Sequence, residues 1–309
     1  MTIKRAVLTV FVSMCMSYAL ATAPVFPQLD EAELSLLEDN AQAYLRWEND
    51  FVRSLDYRDG YIELPGGVAT LQVPENFYYL SPEDAERVLT EGWGNIPSEV
   101  LSLGMLFPSR YHPLAAGSWG VTIDFEEEGY VSDKDAHKIN YDDLLAEMQK
   151  DTRASSQWRV ENGYDSLELV GWAAPPYYDE VGKKLHWAQT LLFGDAETAT
   201  LNYNVRVLGR KGVLLMNFIA SADQLAEVEQ GLPSVLAMPS FTAGNTYAEF
   251  DPKMDKIAAY GIGGLIAGKV IAKTGLFAVA FVFLKKFGIF LVVGAGALLR
   301  KVFGSKKEA

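Results

Sequence analysis

Asn202, Asn204 and Arg206 occupy alternate positions of residues 201–208, so a strand there sets two amides and a guanidinium on one face, with Leu201, Tyr203, Val205 and Val207 on the other. The preceding apolar stretch alternates as well, Lys184, His186, Ala188 and Thr190 opposing Leu185, Trp187, Gln189 and Leu191. If the two polar faces coincide, His186, Asn202, Asn204 and Arg206 line a shallow cleft, with Trp172 and Tyr177 as aromatic neighbours, suited to an anionic or glycan ligand. The plainer reading is a polar sheet face covered by helices or water, with the aromatics in the core.

Other chemistry is thinly represented. His112, His137 and His186 are the only imidazoles, and no metal-ligand spacing joins any two of them. Asp133, Asp135 and His137 follow Glu126, Glu127 and Glu128, a density of hard oxygens that would hold calcium weakly. The calcium-loop spacing fails, because Leu144 takes the twelfth position and the sixth has no glycine, so the run reads as a solvated turn capping a helix. A Gly-x-Ser-x-Gly elbow is absent, and Gly261-x-Gly263-Gly264 reads as a helix-packing stretch that follows no strand. Cys15, the single cysteine, lies in the apolar N-terminal run, which removes thiol nucleophiles and thiolate metal sites from a processed chain. No cofactor is implied. The expectation is a non-catalytic interaction or scaffold module, with two rivals: an envelope glycan enzyme using His186 and Asp179, and a transporter's regulatory subunit.

The 309 residues carry 27 Lys and Arg against 40 Asp and Glu, a net charge of −13, which excludes a broad basic surface for nucleic acid. That charge is unevenly spread. Residues 1–21 carry +2, and residues 251–309 carry ten Lys and Arg against three acids, which leaves −22 on the middle. Lys4 and Arg5, the apolar run 6–18 and Ala19-Leu20-Ala21 read as a signal peptide over 1–21. Residues 257–303 read as a membrane-anchoring helical region ending in a basic tail, 304–309, held on the cytoplasmic side. The partners expected are therefore the lipid bilayer and an envelope protein. Gly264, Gly268 and Ala272, spaced by four, offer a small-residue seam for a homo-oligomer.

These residues need elements to position them. Residues 22–56 read as a helical lead and 57–250 as an exported domain. Pro65-Gly66-Gly67 closes a hairpin between 61–64 and 68–73, and Ser81-Pro82 starts a short helix. Strands are expected at 102–107 and 119–125, then a long helix from Asn140 with a Tyr141, Leu144, Leu145, Met148 and Thr152 stripe. Four further strands follow at 167–174, 185–193, 201–208 and 213–220, the last two joined through Gly209-Arg210-Lys211-Gly212. Ser221 and Gln224 cap a closing helix to about Glu229. Strands in hairpin succession give an α+β fold, an antiparallel sheet with helices packed as an α/β/α sandwich, plus the C-terminal membrane helical segment.

Several runs resemble domain-of-unknown-function family 2167, a family of bacterial membrane-anchored proteins: residues 104–108, 128–133, 169–179, 201–214 and 258–261. The resemblance spans about Tyr57 to the tail. It implies an envelope setting and a membrane anchor, and it carries over no catalytic residues. The succession of helix, four strands and helix also resembles the PsbP-like α/β/α sandwich, a topological likeness only.

Overall fold

The computed structural model describes residues 24, 26, 39–95, 97–161, 163 and 165–268. The signal peptide, residues 27–38 of the helical lead, and residues 269–309 lie outside the described residues.

Seven strands form the main sheet, in the order β3 (Phe77–Leu80), β4 (Met105–Pro108), β5 (Gly120–Glu126), β10 (Val213–Ser221), β9 (Thr200–Leu208), β8 (Lys184–Phe193) and β7 (Leu167–Asp179), all antiparallel. A second sheet orders β1 (Gly60–Glu63), β2 (Ala69–Val73) and β11 (Pro239–Phe241). The architecture is α+β with antiparallel sheets, as expected. The third sheet departs from that pattern, because β12 (Ile257–Gly261) runs parallel to β6 (Tyr130–Ser132).

Local chemistry accounts for the element ends. Ser81 accepts a hydrogen bond from the Asp84 N–H ahead of α2 (Pro82–Arg87), where proline at the first position forfeits no helix bond. The Asn140 side-chain oxygen accepts from the N–H groups of Asp142 and Asp143 and starts α3 (Tyr141–Glu161). Ser221 and Gln224 form the expected capping box, but the helix it leads into, α4 (Leu225–Ala237), runs eight residues past Glu229. Val228, Leu232 and Val235 bury one face of the helix against the sheet, the last two in that extension. In the lead, the described helix is α1 (Asp39–Arg53), whose Phe51 and neighbouring Leu55 pack on Tyr78, Leu80 and Phe107.

On one face of the main sheet the core joins Val121, Ile123, Tyr203, Val205, Leu214, Met216 and Phe218 to α4 and to the β1–β2–β11 sheet. The other face is covered by α3 and by a late return of the chain. That return is β12 followed by the six-residue helix α5 (Ile262–Ala267), whose Ile262, Leu265 and Ile266 are buried with Leu185, Trp187 and Leu215. Residues 257–267, the expected head of the membrane region, are therefore a strand and a short helix within the domain. Gly264 is buried in α5, and Gly268 ends it at a φ of 73°, the left-handed C-cap that glycine adopts without penalty. Of the anticipated Gly264, Gly268 and Ala272 seam, the first is buried within the domain, the second is the helix C-cap, and Ala272 lies outside the described residues. Among the described residues, no helix is long and apolar enough to cross a membrane.

Candidate functional site

Strand register decides which candidates meet. Directly opposed residues of antiparallel strands share a face, and β8 pairs with β9 so that Leu185 opposes Arg206, Trp187 opposes Asn204 and Gln189 opposes Asn202. The β9–β10 register sets Asn204 against Asn217 and Arg206 against Leu215. Asn202, Asn204 and Arg206 consequently share a face with Gln189, Trp187 and Asn217. Trp172, opposite Gln189 on β7, belongs to that face, and its indole N–H donates to the Tyr141 carbonyl at 3.3 Å.

His186 opposes Val205, and Tyr177 opposes His186, so both sit on the opposite face. This corrects the expected cleft: His186 does not converge with Asn202, Asn204 and Arg206. His186 Nδ1 lies 2.9 Å from the Tyr203 hydroxyl, and burial lowers its pKa against an opposing pull from Asp179. Lys184, on the same side, has its pKa lowered by burial, again opposed by Asp179, and donates to the Leu236 carbonyl at 2.5 Å.

The second correction concerns exposure. Arg206, Asn204 and Asn202 are 7%, 6% and 8% exposed, so they are buried beneath α3 and α5 where a shallow solvent-facing cleft was expected. They form a ladder along β9. Arg206 donates to the Asn204 side-chain oxygen at 3.0 Å and to the Val205 carbonyl at 3.0 Å; Asn204 in turn donates to the Asn202 side-chain oxygen at 2.5 Å. Burial pulls the Arg206 guanidinium down to about 10, against the upward pulls of Glu126 and Asp124, which leaves it charged at neutral pH. Its guanidinium also lies over the Trp187 ring, 5.1 Å from the centroid.

This ladder floors a half-enclosed cavity of about 220 Å³ between the sheet, α3 and the end of α5. Met148, Asp151 and Thr152 line it from the helix, and Leu265 to Gly268 from the other side. Gln149, beside Met148, donates to the carbonyls of Leu169 and Val170 at 3.2 and 3.0 Å, where a bulge shifts the β7 register, and so fixes α3 over the sheet. Asp124, Gln189 and Asn217 also face this cavity. They had not been singled out in the sequence, although the lone Asn217 within Leu214-Leu215-Met216-Asn217-Phe218 was a signal for a polar position on a covered face.

The acidic turn has a structural role. The Asp133 carboxylate accepts from the Tyr178 hydroxyl at 2.8 Å and from the Lys183 ammonium at 2.7 Å. Burial alone would raise its pKa, but those hydrogen bonds outweigh burial and hold it below the ordinary value. Asp135 accepts from the N–H groups of Ile262 and Gly263 at 3.0 and 3.2 Å, capping a helix 127 residues further on. A side chain at Gly261 would collide with that carboxylate. The Gly261–Gly264 stretch therefore does follow a strand and open a helix, contrary to expectation, and the helix's positive end is occupied by Asp135. His137 pairs with Glu180, and His112 lies 3.4 Å from Glu48. Among the described residues no cluster of three metal-ligating side chains occurs.

Fold and site together define an α+β domain whose antiparallel sheet carries a buried polar ladder beneath a half-enclosed cavity. The chain belongs to the family described as protein of unknown function (DUF2167), whose model matches residues 56–296. No curated protein matches it. Among solved structures, cyanobacterial PsbP (CyanoP) from Synechocystis sp. PCC 6803 is 11% identical, with 61% of this chain and 93% of that one covered and a TM-score of 0.34. The Ran-binding protein Mog1p of Saccharomyces cerevisiae is 12% identical, with 64% and 100% covered and a TM-score of 0.28.

Proposed function

We propose that the chain is a membrane-anchored envelope protein whose α/β/α-layered domain acts on the periplasmic side as a non-catalytic binding module. One observation carries the binding role: the Arg206–Asn204–Asn202 ladder forms a cavity floor of groups that orient a ligand by hydrogen bonds without exchanging protons near neutral pH. A glycan enzyme built on His186 and Asp179 draws no support from this cavity, since the register sets His186 on the other face. The anchored setting is supported by the sequence: a signal-like start, an acidic body, and an apolar, lysine-bearing stretch after Gly268. Asp135 ties α5 to the cavity side of the domain, so the last described residue before that stretch stands at the cavity's edge.

The location is tested in intact cells with Cys15→Ser and Val181→Cys combined, Val181 being 96% exposed. A maleimide that crosses only a permeabilised outer membrane is expected to label Val181→Cys without lysis of the cytoplasmic membrane. Labelling only after lysis would place the domain in the cytoplasm and overturn the reading.

A further inference from the structure

The cavity changes character across the sheet. Under β5, β10, β9 and the middle of β8 its floor is polar, with Asp124, Asn217, the β9 ladder and Gln189; at the end of β8 and the start of β7 it is Leu191, Phe193, Leu167 and Leu169, roofed by Met148. Two polar atoms of the lining residues are buried without a hydrogen-bond partner among the described residues: the Asn217 side-chain oxygen and the Trp187 indole N–H. One accepts and the other donates, and neither is charged. They stand in a single cross-strand row, Asn217 and Trp187 each opposing Asn204 from its two sides. Two strand spacings separate their backbones, about 10 Å. Buried groups of this kind are ordinarily satisfied, so two partnerless atoms on residues that line one cavity point to a ligand's own donor and acceptor.

The charges argue against an anion. The Arg206 guanidinium is engaged by Asn204 and the Val205 carbonyl and is influenced by Asp124 and Glu126, while Asp124 and Asp151 both line the cavity. One cation facing two lining carboxylates leaves an added carboxylate or phosphate without a surplus of positive charge. A head group that both donates and accepts, uncharged, fits the open pair. The volume of about 220 Å³ equals roughly seven waters at ~30 Å³ each, room for a head group and an alkyl chain of about eight carbons.

We propose that this cavity binds a short-chain neutral amphiphile, whose amide or hydroxyl head donates to the Asn217 oxygen and accepts from the Trp187 indole N–H while its alkyl chain lies along Leu167, Leu169, Leu191 and Phe193. The assignment deepens the binding-module reading and rests on it, but it does not depend on the envelope location, which the Val181→Cys labelling measures separately.

The test uses the full chain in detergent-free polymer-bounded membrane discs, titrated with radiolabelled octanamide, octanoate and octylamine, with empty discs as background. Octanamide is expected to saturate one site and to bind at least tenfold more tightly than either charged analogue. Met148→Trp, which fills the roof of the apolar end, and Asn217→Leu, which removes the acceptor, should each weaken octanamide at least tenfold while the thermal unfolding transition stays cooperative. If Met148→Trp does not fold, Thr152→Phe one turn along fills the same space. Octanoate or octylamine binding as tightly as octanamide overturns the head-group assignment; undiminished binding by the folded cavity-filling variant, or no saturable octanamide binding by the unaltered chain, overturns the site.

Discussion

The two faces of the seven-stranded sheet are made by the same strands and bury different chemistry. Toward α4, strands β5, β9 and β10 present Val121, Ile123, Tyr203, Val205, Met216 and Phe218, an apolar surface closed by the helix and the small sheet. Toward α3, the alternate residues of those strands present Thr122, Asp124, Asn202, Asn204, Arg206 and Asn217, and a cavity remains. Burial of amides and a guanidinium without full closure sacrifices packing that the first face retains. The difference separates a face that stabilises the domain from the face to which we assign ligand binding.

The largest effect is expected on the apolar face. Phe218 is fully buried and stacks on Trp119 with centroids 5.7 Å apart, so Phe218→Ala should lower unfolding free energy by about 3–5 kcal/mol in denaturant titration. On the polar face, Arg206→Ala should lower it by about 2–3 kcal/mol, because the charged hydrogen bond to Asn204 and the apposition to Asp124 are lost together. Arg206→Met should recover part of that loss by keeping the buried stem. The double change Asn202→Leu with Asn204→Leu should cost less than Arg206→Ala, within about 1–2 kcal/mol, since both partners of their mutual bond go at once and only Arg206 loses an acceptor. A larger loss than for Phe218→Ala would make the ladder the domain's principal stabiliser and erase the contrast between the faces.

The smallest effect depends on pH. Asp133 has a lowered pKa in the folded state, so its contribution is present above the ordinary carboxylate value and disappears as pH falls through the lowered one. Asp133→Asn should therefore reduce the melting temperature at pH 7, and the gap should close on acidification below about 4. A gap that persists at lower pH would assign the loss to geometry in place of charge.

Much of this contrast was legible in residue alternation, which correctly divided β9 into its two faces. What alternation does not supply is register. Between β9 and β10 the four-residue loop 209–212 is compatible with the pairing the structure shows, Asn217 opposite Asn204, though the sequence reading did not draw it. Between β8 and β9 the loop 194–199 is longer and sets no parity, so His186 was grouped with Asn204 when Trp187 in fact opposes it; a one-residue slip exchanges the whole face. Phe77–Leu80, buried at every position, has no alternation to reveal it as a strand. The return of residues 257–267 was hidden for another reason. Its glycines and aliphatics match a membrane segment in composition, and contacts distant in sequence show that they close the domain: the Asp135 carboxylate accepting from Ile262 and Gly263, and the pairing of β12 with β6.

The central claim is that the α3 face receives a ligand and the α4 face does not. Ligand binding to the folded state raises the melting temperature by mass action, and so reports occupancy directly. The decisive measurement is the shift in melting temperature of the full chain on adding octanamide, compared with the shifts for Met148→Trp and for Phe218→Leu. The account predicts a rise for the unaltered chain and for Phe218→Leu, and none for Met148→Trp. Equal shifts in all three, or a shift abolished by Phe218→Leu and kept by Met148→Trp, would contradict it.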